Sequence, residues 1–153
     1  MDIRDQIIQE LDNARAHMQH LIAELDSDAE VYPGWTVKEL LAHITGWDDL
    51  VINTLNRHLT GMAPILAVNR GIDFYNATTV AEREGLPFEH ILREYEATRE
   101  QLKALLRSIP PERFADEITL PWGPKATVQT FIRVFSEHER EHEEEIHSHL
   151  RRS

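Results

Sequence analysis

The chain has 153 residues, 41% of them hydrophobic and 28% charged, with a formal net charge of -11 and no cysteine. That length suits one domain spanning 1-153, and the missing thiols exclude disulfides, thiolate-ligated zinc and a protein thiol nucleophile. The negative charge opposes nucleic acid and anionic membrane surfaces, and no apolar run approaches the ~20 residues that a span requires, so the expected partner is a small molecule.

Residues Met1 to Gln6 lack the basic and apolar regions of a secretory signal, which predicts a cytoplasmic protein. Ile3, Ile7, Leu11, Ala14, Met18, Leu21, Ile22 and Leu25 recur at helical spacing and predict a first helix. Asp26 to Gly34 breaks the pattern, and is short enough to turn the chain antiparallel. Thr36-Val37-Lys38-Glu39 fits a capping box, so a second helix starts there. Its stripe runs through Val37, Leu40, Leu41, Ile44, Trp47, Leu50, Val51 and Leu55, and Gly61 and Pro64 end it.

Residues 62 to 86 read as an irregular connection, with room for a short helix between Asp73 and Arg83. A third long helix carries Phe88, Ile91, Leu92, Tyr95, Leu102, Leu105, Leu106 and Ile109 before Pro110-Pro111 stops it. Ile118, Leu120 and Pro121-Trp122-Gly123-Pro124 read as an ordered loop rather than a strand. From Thr127 to about Leu150 a last helix places Val128, Phe131, Ile132, Phe135, Ile146 and Leu150 on one face. The fold class is therefore all-α, a four-helix bundle with an irregular connection between helices two and three.

Continuing the last stripe from Phe131 and Phe135 lands on His138 and His142 before it returns to Ile146. Residues four apart on a helix have Cβ atoms ~5 to 6 Å apart, so two imidazoles can converge on one ion. Taken alone, an HxxxH pair also occurs as a solvated or hydrogen-bonded pair at a bundle end. His43 shares a face with Leu40, Trp47 and Leu50, and by itself is more often a structural histidine bonded to a neighbour. His17, His20, His147 and His149 read as surface residues, and His58 and His90 carry no signal. Trp35 and Trp47 read as core or cap residues rather than pocket walls, and Asp48 and Asp49 as solvated. Glu139 and Glu141 flank the paired histidines on different helix faces.

The segment Gly34-Trp35-Thr36-Val37-Lys38-Glu39-Leu40-Leu41-Ala42-His43-Ile44-Thr45-Gly46-Trp47 resembles the one that opens the second helix in the DinB superfamily. His138-Glu139-Arg140-Glu141-His142 is similar to the family's last helix, and Pro121-Trp122-Gly123-Pro124 to the loop before it. The resemblance spans nearly the whole chain. As in the YfiT group and the N-terminal domains of mycothiol-dependent maleylpyruvate isomerases, it implies a four-helix bundle, often a homodimer. It also implies a three-histidine site for a divalent metal, zinc or nickel, at His43, His138 and His142. Residues 62 to 86 carry no substrate or thiol-cofactor signature.

The reading that follows is a metal-dependent enzyme acting on a small electrophile by hydrolysis or by transfer of a low-molecular-weight thiol. Its rival is a non-catalytic stress-response bundle that binds a metal or ligand. Nucleic-acid binding conflicts with the charge.

Overall fold

The computed structural model describes residues 1-151. These form α1 (Ile3–Ala23), a hairpin of β1 (Glu30–Tyr32) and β2 (Trp35–Thr36), α2 (Val37–Leu59), α3 (Ile72–Ala81) and α4 (Phe88–Ser108). A 3₁₀ turn (Pro111–Ala115) leads to a second hairpin of β3 (Glu117–Thr119) and β4 (Lys125–Thr127), and α5 (Val128–Arg151) follows. No described helix is long and apolar enough to cross a membrane.

Local chemistry sets the helix starts. The Asp2 carboxylate accepts from the Arg4 amide at 2.8 Å and caps α1. At α2 the expected capping box forms, with the Thr36 amide donating to Glu39 Oε2 at 3.2 Å. Two expectations need correction. The segments taken as a plain turn and an ordered loop are both antiparallel hairpins, Glu30 facing Thr36 in one and Ile118 facing Ala126 in the other. Strands of two or three residues are too short for alternation to register in a sequence. The first hairpin turns at Gly34, whose φ of 80° is a conformation that side chains disfavour.

The long helices pair in two ways. Along α1 and α5, Glu10 meets Arg133 and Arg15 meets Glu139, so these two run in the same direction. Between α2 and α5 the order reverses, Trp47 packing on Phe135 while His43 meets His142. Likewise Arg4 reaches the Arg107 carbonyl and Arg15 the Tyr95 carbonyl, so α1 and α4 are antiparallel. The connection between α2 and α4 is irregular from residue 60 to 71 and then forms α3, which crosses α2 at Gly46.

The core falls into two apolar halves. One holds Leu11, Trp47, Val51, Leu102, Phe131 and Phe135, the other Met18, Leu21, Leu41, Ile44, Tyr95 and Ile146. Between them lies an ionic layer of Arg15, Asp48, Arg99 and Glu139, one residue from each long helix and all at most 6% exposed. Arg99 grips Asp48 through two hydrogen bonds of 3.0 and 3.2 Å and reaches Glu139 at 3.2 Å. Arg15 bonds Glu139 at 3.0 Å and the Tyr95 carbonyl at 3.1 Å, with its guanidinium 3.6 Å above the Tyr95 ring. Two guanidiniums and two carboxylates cancel, which is the condition under which charges tolerate burial.

Candidate metal centre

His43 stands near the start of α2, 1% exposed, at the edge of the stripe that packs Leu40 and Ile44 inward. His138 and His142 stand four residues apart on the facing side of α5. The antiparallel pairing of these helices brings the three rings together. His142 Nε2 lies 2.8 Å from His138 Nε2 and 3.1 Å from His43 Nε2. One ring nitrogen from each residue lies within 4.8 Å of those of the other two.

Such crowding of like groups calls for an explanation. A neutral imidazole carries one N-H, so three Nε2 atoms facing one another cannot all be satisfied by mutual hydrogen bonds. The environment also keeps the rings uncharged. Burial, then the neighbouring His142 and His138, lowers the pKa of His43 to about 3. Burial and His138 lower that of His142 to about 4. Burial lowers that of His138 too, opposed by Glu141, Glu145 and Glu139.

Neutral imidazoles with converging lone pairs are the form in which histidine binds a divalent cation. Two bonds of ~2.0 to 2.1 Å from one ion can span two nitrogens at the observed separations. The donor set therefore fits zinc, nickel or a similar ion. Behind the nitrogens, the Tyr32 hydroxyl lies 2.7 Å from His142 Nδ1. His43 Nδ1 is buried with no hydrogen-bond partner among the described residues.

Aromatic rings surround the cluster. Trp35 lies 5.2 Å from His43 between ring centroids, Trp47 6.3 Å from both His43 and His138, and Tyr32 5.5 Å from His142. Trp47 is a core residue as expected, but Trp35 is only half-buried and forms part of the wall beside His43. Burial of the Tyr32 hydroxyl, reinforced by Glu145, raises its pKa and keeps it protonated.

On the far side of Trp47 its ring meets Tyr75 at 4.9 Å, and its indole N-H donates to Asn76 Oδ1 at 2.8 Å. Tyr75 also lines a cavity of about 550 Å³ between α2, α3 and the second hairpin. Arg57, Asn53, Met62, Ile65 and Ile118 line it too. None of the three histidines does, so the Trp47-Tyr75 pair separates this cavity from the cluster.

Several residues sit elsewhere than their sequence context indicates. Asp48 is not solvated: it is 1% exposed and bound to both Arg99 and Arg15. Asp49 is paired with Arg83 at 2.8 Å. Glu139, equally buried, points into the ionic layer while its neighbour His138 points to the cluster. His17, His20 and His149 are exposed, and His58 pairs with Asp116 at 2.9 Å. Arg15 and Arg99 carry no recognised motif, yet each stands four residues beyond a core position, Leu11 and Tyr95, and that spacing was a signal.

A family model described as the DinB superfamily matches residues 10-146. No curated protein matches the sequence significantly. Among solved structures, the colibactin self-resistance protein ClbS in complex with double-stranded DNA superposes with a TM-score of 0.80 at 13% identity, covering 95% of this chain and 93% of that one. The sibling lethal factor precursor DfsB gives a TM-score of 0.80 at 15% identity, covering 97% and 95%. YfiT from Bacillus subtilis, described as a probable metal-dependent hydrolase with an unusual four-helix bundle topology, gives 0.67 at 18% identity, covering 97% and 86%. At these identities the likeness is one of fold.

Proposed function

The chain belongs to the DinB superfamily, and from that premise we propose that His43, His138 and His142 hold a divalent metal ion at which a small molecule reacts. The observation that carries this reading is the convergence of three uncharged Nε2 atoms, 2.8 and 3.1 Å apart at the two shortest separations, inside an aromatic enclosure. When bound, such an ion lowers the pKa of its water from about 15.7 toward about 7, or holds a low-molecular-weight thiolate, so it supports hydrolysis or thiol transfer without a protein cysteine.

The protein's own groups do the rest. Three nitrogen ligands leave coordination positions open for substrate or water. Trp35 and Trp47 limit the water that reaches His43, and half-buried Trp35 marks the accessible side. YfiT's description as a metal-dependent hydrolase supports the same class of chemistry.

ClbS was captured with a DNA duplex, but the net charge of -11 here, with Glu137, Glu141, Glu143, Glu144 and Glu145 along α5, works against a polyanion. We retain a small molecule as the partner, and read the chain as one cytoplasmic domain that pairs as a homodimer. The second reading, a bundle that binds metal or ligand without turnover, shares the same cluster.

Metal analysis of protein purified without a histidine tag, beside His43→Ala and His142→Ala, tests the proposal. A stoichiometric ion in the wild type and its loss from both variants is expected. Equal metal content in all three would end the metal reading. Metal bound without turnover of thiols, electrophiles or hydrolysable substrates would favour the second.

A further inference from the structure

We infer that Tyr32 and Glu145 form a hydrogen-bond relay behind His142 that fixes its ring as the Nδ1-H tautomer and so keeps its Nε2 lone pair turned toward His43 and His138. The argument begins with a proton count. Tyr32 has one O-H to give, and its oxygen lies 2.7 Å from His142 Nδ1. Either the hydroxyl donates to a bare Nδ1, which places the ring proton on Nε2 in the centre of the cluster, or Nδ1-H donates to the hydroxyl and Nε2 is bare.

Glu145 decides between the two. It stands three residues beyond His142 on α5, hence on the same side of the helix. Its carboxylate lies close enough to the Tyr32 hydroxyl to act on it both as a charge and as a hydrogen-bond partner. A carboxylate only accepts, so it takes the single tyrosine proton. The tyrosine oxygen can then only accept from the histidine, whose proton is held at Nδ1.

The tyrosine is itself held in place. It ends β1, beyond the buried Val31, and its ring meets Trp35 edge-on at 6.2 Å and His142 at 5.5 Å with an interplanar angle of 82°. The first hairpin therefore supplies an orienting group that the four long helices lack. Partners of this kind on the outer nitrogen set the tautomer and basicity of a metal-binding histidine. Tyr32 is a positioning residue, as it touches His142 and not the reacting atoms.

The tautomer is a property of the metal-free chain, while its effect on affinity rests on the proposed metal site. Two measurements separate them. Long-range proton-nitrogen NMR of metal-free protein is expected to show His142 as Nδ1-H in the wild type and in Glu145→Gln, which keeps an accepting oxygen. In Glu145→Ala the freed tyrosine proton shifts the ring toward Nε2-H. Wild-type His142 as Nε2-H, or no change in Glu145→Ala, would overturn the relay.

Zinc affinity measured by chelator competition is expected to fall by about 10- to 100-fold in Tyr32→Phe and less in Glu145→Ala, with Glu145→Gln near wild type. Since Glu145 is exposed, its variants leave the core intact. Wild type that binds no zinc would refute the metal reading and leave the tautomer result standing. Wild type and Tyr32→Phe binding equally would refute the positioning role alone.

Discussion

Asp48 and Glu139 hold the same guanidinium, that of Arg99, from two different helices. Neither carboxylate has water to fall back on, since both are 1% exposed. Removing one leaves Arg15 and Arg99 with an uncompensated buried charge. Glu139→Ala is therefore expected to destabilise the fold by about 3 to 5 kcal/mol, measured by urea denaturation. A loss below about 1 kcal/mol would show that the layer contributes little.

Acid should weaken the metal-free protein through the cluster. His43 and His142 bind protons less readily folded, at about 3 and about 4, than unfolded at about 6.5. Between those limits the unfolded chain binds more protons, so stability falls as pH drops below about 6.5 and continues to fall toward pH 3. The expected difference between wild type and His43→Ala is a steeper decline in the wild type, on the order of 3 kcal/mol over that range. Parallel pH profiles would contradict it.

A bound ion should stabilise the fold by mass action. At a hundredfold excess over its dissociation constant the gain is about 2.7 kcal/mol, or roughly 5 to 10 °C in melting temperature for a domain of this size. Calorimetry of metal-free wild type with zinc or nickel added should show that rise, and His142→Ala should not.

Gly46 marks where α3 crosses α2, and a Cβ there would collide with the Thr79 side chain. Gly46→Ala is expected to cost about 1 to 3 kcal/mol and to push α3 outward. That shift would break the Trp47-Asn76 hydrogen bond and change tryptophan emission. An unchanged spectrum with unchanged stability would show that Thr79 yields freely.

How much of this was legible in the sequence depends on periodicity. The long helices were, because Phe131, Phe135, His138, His142 and Ile146 follow one stripe for four turns, and the same stripe aimed two histidines inward. The hairpins were not, because Glu30–Tyr32 and Glu117–Thr119 are too short to show a period. As a result Tyr32, which approaches His142 from outside the long helices, carried no signal. The ionic layer was missed for a different reason. Arg15, Asp48, Arg99 and Glu139 each stand four residues beyond Leu11, Ile44, Tyr95 and Phe135, but a charged side chain is read as solvated unless its partners on other helices are known.

Trp47 touches the imidazoles with one edge and Tyr75 with another. The indole is thus a shared wall between two compartments, and a disturbance in either is transmitted to the same chromophore. Filling the cavity beyond Tyr75 or loading the histidines should perturb one optical signal, so the protein carries a built-in gauge of cross-talk between the two spaces.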